Sequence, residues 1–250
     1  MVSSMDGRIG IVTGGARGIG AATSRLLAGD GATVAIFGLA GDRARADDVR
    51  VGLDGAASRV DFYEADVGDF DACRRGVAAV HARFGRIDFL VNNAGITADH
   101  TVRNMAVEEW LAVLRVNLSG PFYMMKTVID HMIEQGFGRI VNIGSIVGHT
   151  GNIGQANYAA AKAGLVGLTK TVALETANRG ITVNCVAPGF TDTELVSAMP
   201  EKAREAAIAR TPERRLGKPE EIARVIRFLL DDKSSFITGA VYDVNGGGFM

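Results

Sequence analysis

Seven short apolar runs, each parted from the next by a longer stretch, recur along this chain and leave it few folds to adopt. Residues 8–13, 33–37, 60–65, 87–91, 139–144, 181–187 and 240–244 read as strands. Most are apolar nearly throughout rather than alternating, which marks strands buried on both faces. Between them, 19–28, 44–53, 70–84, 108–117, 121–135, 157–178 and 219–230 read as helices. Strand and helix in turn give parallel strands joined by crossover helices. The expected architecture is α/β, a seven-stranded doubly wound parallel sheet with helices on both faces. A length of 250 residues suits a single domain, 1–250, and no Pro/Ser-rich linker or internal repeat divides it. The irregular stretch is 191–217, which is polar, charged and weakly periodic. It follows a strand's carboxyl end, the edge at which such sheets bind ligands. A mobile substrate lid is expected there, with a plain surface excursion as the alternative.

Composition removes several classes of function. With 27 basic and 28 acidic residues the net charge is −1, so no basic excess exists to neutralise a nucleic-acid backbone. No apolar run approaches the roughly 18 residues of a membrane helix. The opening Met1-Val2-Ser3-Ser4-Met5-Asp6-Gly7-Arg8 holds no apolar secretion segment. Two cysteines, Cys73 and Cys185, make no disulfide framework, and a reducing, cytoplasmic setting is expected. The histidines His81, His100, His131 and His149 show no metal-ligand spacing, so no metal site is expected.

Glycine is the excess: 32 of 250 residues, about twice the usual ~7%. It concentrates where the first strand meets the first helix, in Thr13-Gly14-Gly15-Ala16-Arg17-Gly18-Ile19-Gly20. Glycines permit a tight turn and close backbone approach to a pyrophosphate, while the helix N-terminus supplies N–H donors. The spacing is G-x-x-x-G-x-G, and its position early in a βαβ unit points to a dinucleotide site in a Rossmann fold. A ligand-free glycine turn is the bland alternative. The second strand ends Ile36-Phe37-Gly38-Leu39, with no carboxylate in place for the ribose 2′-hydroxyl of NAD. Arg17, inside the loop, offers a guanidinium to a phosphate. Both features lean to NADP. Asp66-Val67 and Asn92-Asn93-Ala94-Gly95 follow the third and fourth strands, on the ligand edge. Asp66 reads either as an acceptor for adenine's amine or as a helix N-cap.

Tyr158 and Lys162 stand four apart on one helix and share a face. An ammonium beside a phenol favours the phenolate, which brings tyrosine into range as a proton donor or acceptor. Ser145 follows the fifth strand and is placed to hydrogen-bond a carbonyl oxygen. Taken together, residues 13–20, Asp66, Asn92 to Gly95, Asn117, Ser145, Tyr158-Ala159-Ala160-Ala161-Lys162 and Pro188-Gly189 resemble the short-chain dehydrogenase/reductase family. Within it, Val91-Asn92-Asn93-Ala94-Gly95-Ile96-Thr97 and the stretches 154–165 and 180–190 are most similar to the β-ketoacyl-thioester reductases.

That resemblance implies NADP(H)-dependent reduction of 3-oxoacyl thioesters, linked to acyl-carrier protein or CoA, with NAD(H) not excluded. Tyr158 then gives its proton to the substrate carbonyl, Ser145 positions that oxygen, and Lys162 lowers the tyrosine pKa and holds the nicotinamide ribose. Asn117 holds a water linking Lys162 to solvent. Gly14, Ala16, Arg17, Gly18, Ile19, Gly20, Leu39, Asp66, Val67, Asn93, Ala94 and Gly95 contact the cofactor. Pro188, Gly189 and Thr191 face its carboxamide. A homotetramer is also implied, and the apolar helix face at Leu165, Leu168 and Val172 with the tail Phe249-Met250 is compatible with it. Leu39 stands where the family often has a small hydroxyl residue, and Thr191 where an aliphatic one is common. The carrier-protein enzymes commonly have a basic pair where this chain has Glu134-Gln135-Gly136-Phe137, while Arg179 and the arginines of 210–215 remain as docking cations. The competing readings are a dehydrogenase of another secondary alcohol or sugar, and a non-catalytic dinucleotide sensor, which the intact Ser145, Tyr158 and Lys162 disfavour.

Overall fold

A computed structural model describes residues 5–51, 53, 56 and 59–250. Its seven strands are β1 (Ile9–Thr13), β2 (Thr33–Gly38), β3 (Val60–Glu64), β4 (Phe89–Asn92), β5 (Gly138–Ile143), β6 (Ile181–Pro188) and β7 (Val241–Val244). They form one sheet in the order β3-β2-β1-β4-β5-β6-β7, and every adjacent pair is parallel. The chain builds outward from β1 to β3, then returns to lay β4 beside β1. That reversal opens a crevice at the carboxyl ends of β1 and β4, where ligands of such sheets sit.

The helices are α1 (Gly18–Gly29), α2 (Arg43–Val51), α3 (Phe70–Phe84), α4 (Val107–Leu114), α5 (Gly120–Gln135), α6 (Val147–Thr150), α7 (Ala156–Thr176), α8 (Glu194–Ser197), α9 (Glu201–Arg210) and α10 (Pro219–Leu230). Successive strand residues point to opposite faces. Val12, Ile36 and Phe89 thus feed one apolar cluster, with Leu27, Ile222 and Ile226. Ile11, Phe37 and Leu90 feed the other, with Val77, Met124 and Val172. This is why most of the strands read as apolar nearly throughout.

The sequence expectations shift in several places. The helix expected over 44–53 is α2, which begins one residue earlier and is preceded by a 3-10 turn at Ala40–Asp42; Gly52 lies outside the described residues. Asp69, not Asp66, caps α3, accepting from the N–H groups of Asp71 (2.8 Å) and Ala72 (3.2 Å). The two helices expected over 108–117 and 121–135 are continuous through a π-helical turn at Arg115–Ser119. Such a turn marks a stretch under local constraint. The constraint here is Asn117, whose Nδ2 donates to Val113 O (3.0 Å) and, across to the loop after β4, to Ile96 O (2.9 Å).

The apolar face Leu165, Leu168 and Val172 is largely spent inside the protomer: Leu165 and Val172 are buried and Leu168 packs on the core. The exposed apolar residues of these outer helices are instead Val107 and Leu111 on α4, Phe122 on α5 and Leu174 on α7. Among the described residues no helix is long and apolar enough to cross a membrane.

Candidate active site

Thr13 ends β1, and its hydroxyl accepts from the N–H groups of Asn93 and Ala94, both at 3.0 Å. Asn93 answers through Nδ2, donating to Thr13 O (3.0 Å) and Gly14 O (3.2 Å). The glycine loop and the loop after β4 are thereby locked together. Gly20 is required by that closeness: a Cβ there would stand 2.5 Å from Asn93 Nδ2 and run into the carbonyl of Gly14. Gly14 and Gly18 adopt φ of +61° and +47°, which side-chain-bearing residues rarely do. Helix α1 then begins with no side-chain cap and no acid in its first turn. Its terminal N–H groups and positive dipole end are left for an anion. A cradle that a Cβ would fill, with open helix donors beyond it, fits a pyrophosphate.

The far end of the cleft holds what sequence reasoning missed. The second strand was expected to end without an acid. Asp42, in the 3-10 turn just beyond Leu39, folds back so that its Oδ2 accepts from Leu39 N–H (3.2 Å), and it lines the cleft. Its Oδ1 pairs with Arg17 Nη2 at 2.9 Å. A turn-forming Ala-Gly-Asp was the only hint. Asp66 Oδ1 accepts from Gly68 N–H (2.8 Å), and its Oδ2 pairs with Arg115 (3.3 Å).

At the other end, Ser145 follows β5 and is held by the N–H of Val147, which donates to its Oγ (3.1 Å). Tyr158 lies in the first turn of α7. Asn157 positions that turn, accepting from Tyr158 N–H (2.8 Å) and donating to Ala98 O (2.9 Å). Ser145 and Tyr158 line the same cleft, and the Ser145 hydroxyl favours the ionised phenol. Lys162 is buried, with Nζ donating to Ile143 O at 2.7 Å and lying 5.5 Å from the Tyr158 ring centre.

The electrostatics correct one expectation. Lys162 was expected to depress the phenol pKa. Burial instead pushes Tyr158 up to about 12; the Ser145 hydrogen bond opposes this and the Asp99 charge adds to it. Burial pushes Lys162 itself down to about 8, opposed by nearby Cys185. The lysine spends its shortest contact on a backbone carbonyl rather than on the phenol. Asp99, also unforeseen, is bound by Gln155 Nε2 (2.8 Å) at the start of α7.

A cleft of about 640 Å³ joins the two ends. Of the expected site residues, all line it except Ala16, Gly20 and Asn117. Asn117 is buried behind Gly95, whose Cβ would stand 2.6 Å from Asn117 Oδ1. A model of short-chain dehydrogenases described as enoyl-(acyl carrier protein) reductase matches residues 14–248.

The chain belongs to the short-chain dehydrogenase/reductase family.

It is 48% identical to the 3-oxoacyl-[acyl-carrier-protein] reductase of Thermotoga maritima, over 97% of this chain and 98% of that one. It is 47% identical to the acetoacetyl-CoA reductase of Shinella zoogloeoides (97% and 99% covered). Against the 3-oxoacyl-[acyl-carrier-protein] reductase of Escherichia coli it is 42% identical (99% and 99%). As a member of this family it is an oxidoreductase acting on CH–OH groups. The loop after β6 accounts for Thr191. Thr191 is buried, and its hydroxyl donates to Gly189 O (3.1 Å), fixing the Pro188–Gly189 corner of the cleft. The same residue pairs in parallel with Gly217, supported by Asp192 N–H to Gly217 O (2.8 Å) and Gly217 N–H to Phe190 O (2.9 Å). The two ends of the irregular stretch therefore meet. Between them lie α8 and α9, and Thr193, Glu194, Leu195, Val196 and Ala198 line the cleft. His149 packs under the C-terminal tail, stacked on Phe249 at 4.9 Å between ring centres.

Proposed function

We propose that this oxidoreductase reduces 3-oxoacyl thioesters to 3-hydroxyacyl thioesters, using NADP(H). The carrying observation is the convergence of Ser145, Tyr158 and Lys162 in one cleft with an anion cradle at its other end. When bound, the dinucleotide supplies the hydride. Gly14, Gly18 and the start of α1 hold its pyrophosphate, Asp66 and Leu39 flank its adenosine, and Lys162 with Asn93 to Gly95 line its nicotinamide-ribose end. A carbonyl oxygen gaining negative charge needs a proton and donors around it. Tyr158 carries that proton throughout the neutral range, because its pKa stands at about 12. Proton transfer to an alkoxide is still downhill from there. Ser145 Oγ–H is the second donor to the same oxygen. Asn117, through the π-helical turn, is the proposed holder of the water that returns a proton to Lys162. The stretch 191–217 is proposed as the substrate lid of a single domain.

The carrier follows from surface chemistry. Where carrier-protein reductases often show a basic pair, Gln135 is occupied inside the fold, accepting from Ile87 N–H (2.9 Å) and donating to Ile87 O (3.0 Å). Arg215 is taken by Glu213 and Glu221, each at 2.7 Å. Of the expected docking cations Arg215 is thus neutralised, while Arg179 and Arg210 make no ion pair among the described residues and suit either an acidic protein or a CoA phosphate, so acetoacetyl-CoA is proposed as a ready substrate beside carrier-protein thioesters. A cytoplasmic homotetramer completes the reading. The test is NADPH and NADH oxidation with acetoacetyl-CoA, acetoacetyl carrier protein and crotonyl-CoA. Turnover of both oxo substrates with NADPH is expected, and none of the enoyl one. Activity confined to NAD-linked oxidation of other alcohols or sugars overturns the proposal.

A further inference from the structure

Four charges meet at the adenosine end of the cleft. Arg17 lies 2.9 Å from Asp42 and 3.9 Å from Glu194, while Arg45 lies 3.6 Å from Glu194 and 3.9 Å from Asp42. Two cations and two anions make the cluster neutral. Its members come from four places: Arg17 from the glycine loop, Asp42 from the turn after β2, Arg45 from the first turn of α2, and Glu194 from the first residue of α8 in the stretch 191–217. Thr193, just before Glu194, touches the loop as well, its Cγ2 standing 3.0 Å from where a Cβ on Gly18 would be. Arg17, Asp42 and Glu194 line the cleft at the end of β2. That is the place where dinucleotide folds read the ribose 2′-position.

We propose that Glu194 competes with the 2′-phosphate of NADP(H) for Arg17 and Arg45, so that binding this phosphate unties α8 from the glycine loop. The inference rests on the NADP(H) reading above.

The two anions differ in how firmly they are held. Asp42 is nearly buried, with its side chain 9% exposed, and is pinned by Leu39 N–H. Glu194 is 62% exposed and makes only the two longer contacts to its arginines. A phosphomonoester brings a charge of roughly −1.5 to −2 near neutral pH. In a neutral cluster it repels both carboxylates, and the one that can leave is Glu194. The freed guanidinium forks match phosphate oxygens two at a time. NAD(H), having a hydroxyl there, leaves all four charges in place. The two cofactors thus differ in what they do to the stretch that covers the substrate, and Glu194 becomes a residue that sets cofactor preference from outside the glycine loop.

The nicotinamide can be left out of the test. Wild-type, Glu194→Gln and Arg45→Gln full-length chains are titrated calorimetrically with 2′,5′-ADP and with 5′-AMP, and with NADP+ and NAD+. Amide hydrogen exchange is followed across 192–198. Removing the Glu194 charge is expected to tighten 2′,5′-ADP about two- to fivefold, the scale of exposed ion pairs, with 5′-AMP unchanged. Arg45→Gln is expected to weaken 2′,5′-ADP alone. In wild type, 2′,5′-ADP should speed exchange across 192–198 and 5′-AMP should not. Equal changes for both ligands in Glu194→Gln, or exchange that 2′,5′-ADP leaves unmoved or slows, overturn the competition while the cofactor reading stands. Binding of NAD+ without NADP+ or 2′,5′-ADP overturns both.

Discussion

Lys162 is a charge held where charge is costly, and that gives it a signature in the stability of the fold. Its ordinary value of 10.5 falls to about 8 in the folded chain because burial disfavours the ammonium. Below pH 8 both folded and unfolded states are protonated, and the folded state carries the full penalty. Between pH 8 and 10.5 the unfolded lysine binds a proton that the folded one has lost, so stability rises with pH. Integrating between pH 7 and pH 9.5 gives a gain of about 2 kcal/mol from this side chain. In a domain of this size that corresponds to roughly 4–8 °C in Tm. Cys73 and Cys185 work in the opposite sense, because burial raises them to about 12 and about 11 and the unfolded thiols ionise first. The quantity to read is therefore the difference between wild type and Lys162→Met, in which the thiols cancel. The variant also strips the Ile143 carbonyl of its partner, at roughly 1–3 kcal/mol, but that cost shifts the curve without tilting it. Paired thermal melts from pH 7 to 9.5, at one protein concentration, should show the wild type gaining on the variant by about 2 kcal/mol. Parallel curves would show that Lys162 titrates as it does in water, and the argument from burial would fail.

Tyr158→Phe keeps the ring and removes the proton; kcat for acetoacetyl-CoA should fall at least ~10²-fold with NADP+ binding retained by calorimetry, and near-normal turnover would refute the acid role. Gly20→Ala drives a methyl group into Gly14 O and Asn93, so a loss of roughly 1–3 kcal/mol in thermal melts should accompany weakened dinucleotide binding. Asp69→Ala removes the cap of α3 and should cost about 1 kcal/mol, measured by denaturant midpoint, without touching kcat. Light scattering at micromolar concentration should give four times the 26.3 kDa chain mass; a monomer there would contradict the assembly.

The parts of this fold written plainly in the sequence are those fixed by burial and by local geometry. Strands covered on both faces need apolar runs, so β1, β2, β4, β5 and β6 were plain, and the more exposed edge strands β3 and β7 were visible by their place in the alternation. The glycine loop was visible because no other residue type permits its turn and its contact with Asn93. Tyr158 and Lys162 were visible because helical spacing puts them on one face. Other features depend on where the backbone carries a side chain. Asp66 was the acid read as a possible cap, and only the path of the chain assigns the role to Asp69, three residues on. Asp42 went unread, since nothing local says that its carboxylate returns to Leu39. The periodicity of Leu165, Leu168 and Val172 told that a face is buried, not whether the same protomer buries it. The π-helical turn arises from a bond between Asn117 and Ile96, twenty-one positions away in the chain, beyond the reach of any helical pattern.

The meeting of Thr191 with Gly217 makes the chain between them an exchangeable cassette. Both anchor points sit side by side on the rim of the sheet, and Ser145, Tyr158 and Lys162 lie outside the interval. A longer or shorter insert starts and ends at the same two points, and doubling the length of a flexible loop costs only about 0.6 kcal/mol. On the lid reading proposed above, substrate range can drift by grafting here while Ser145, Tyr158 and Lys162 are inherited unaltered, and Glu194 with its hold on the glycine loop travels with the graft. A chimaera carrying 192–216 from a relative of different chain-length preference should, on that reading, inherit the preference along with the graft, provided the buried Val196, Ala207 and Thr211 are matched.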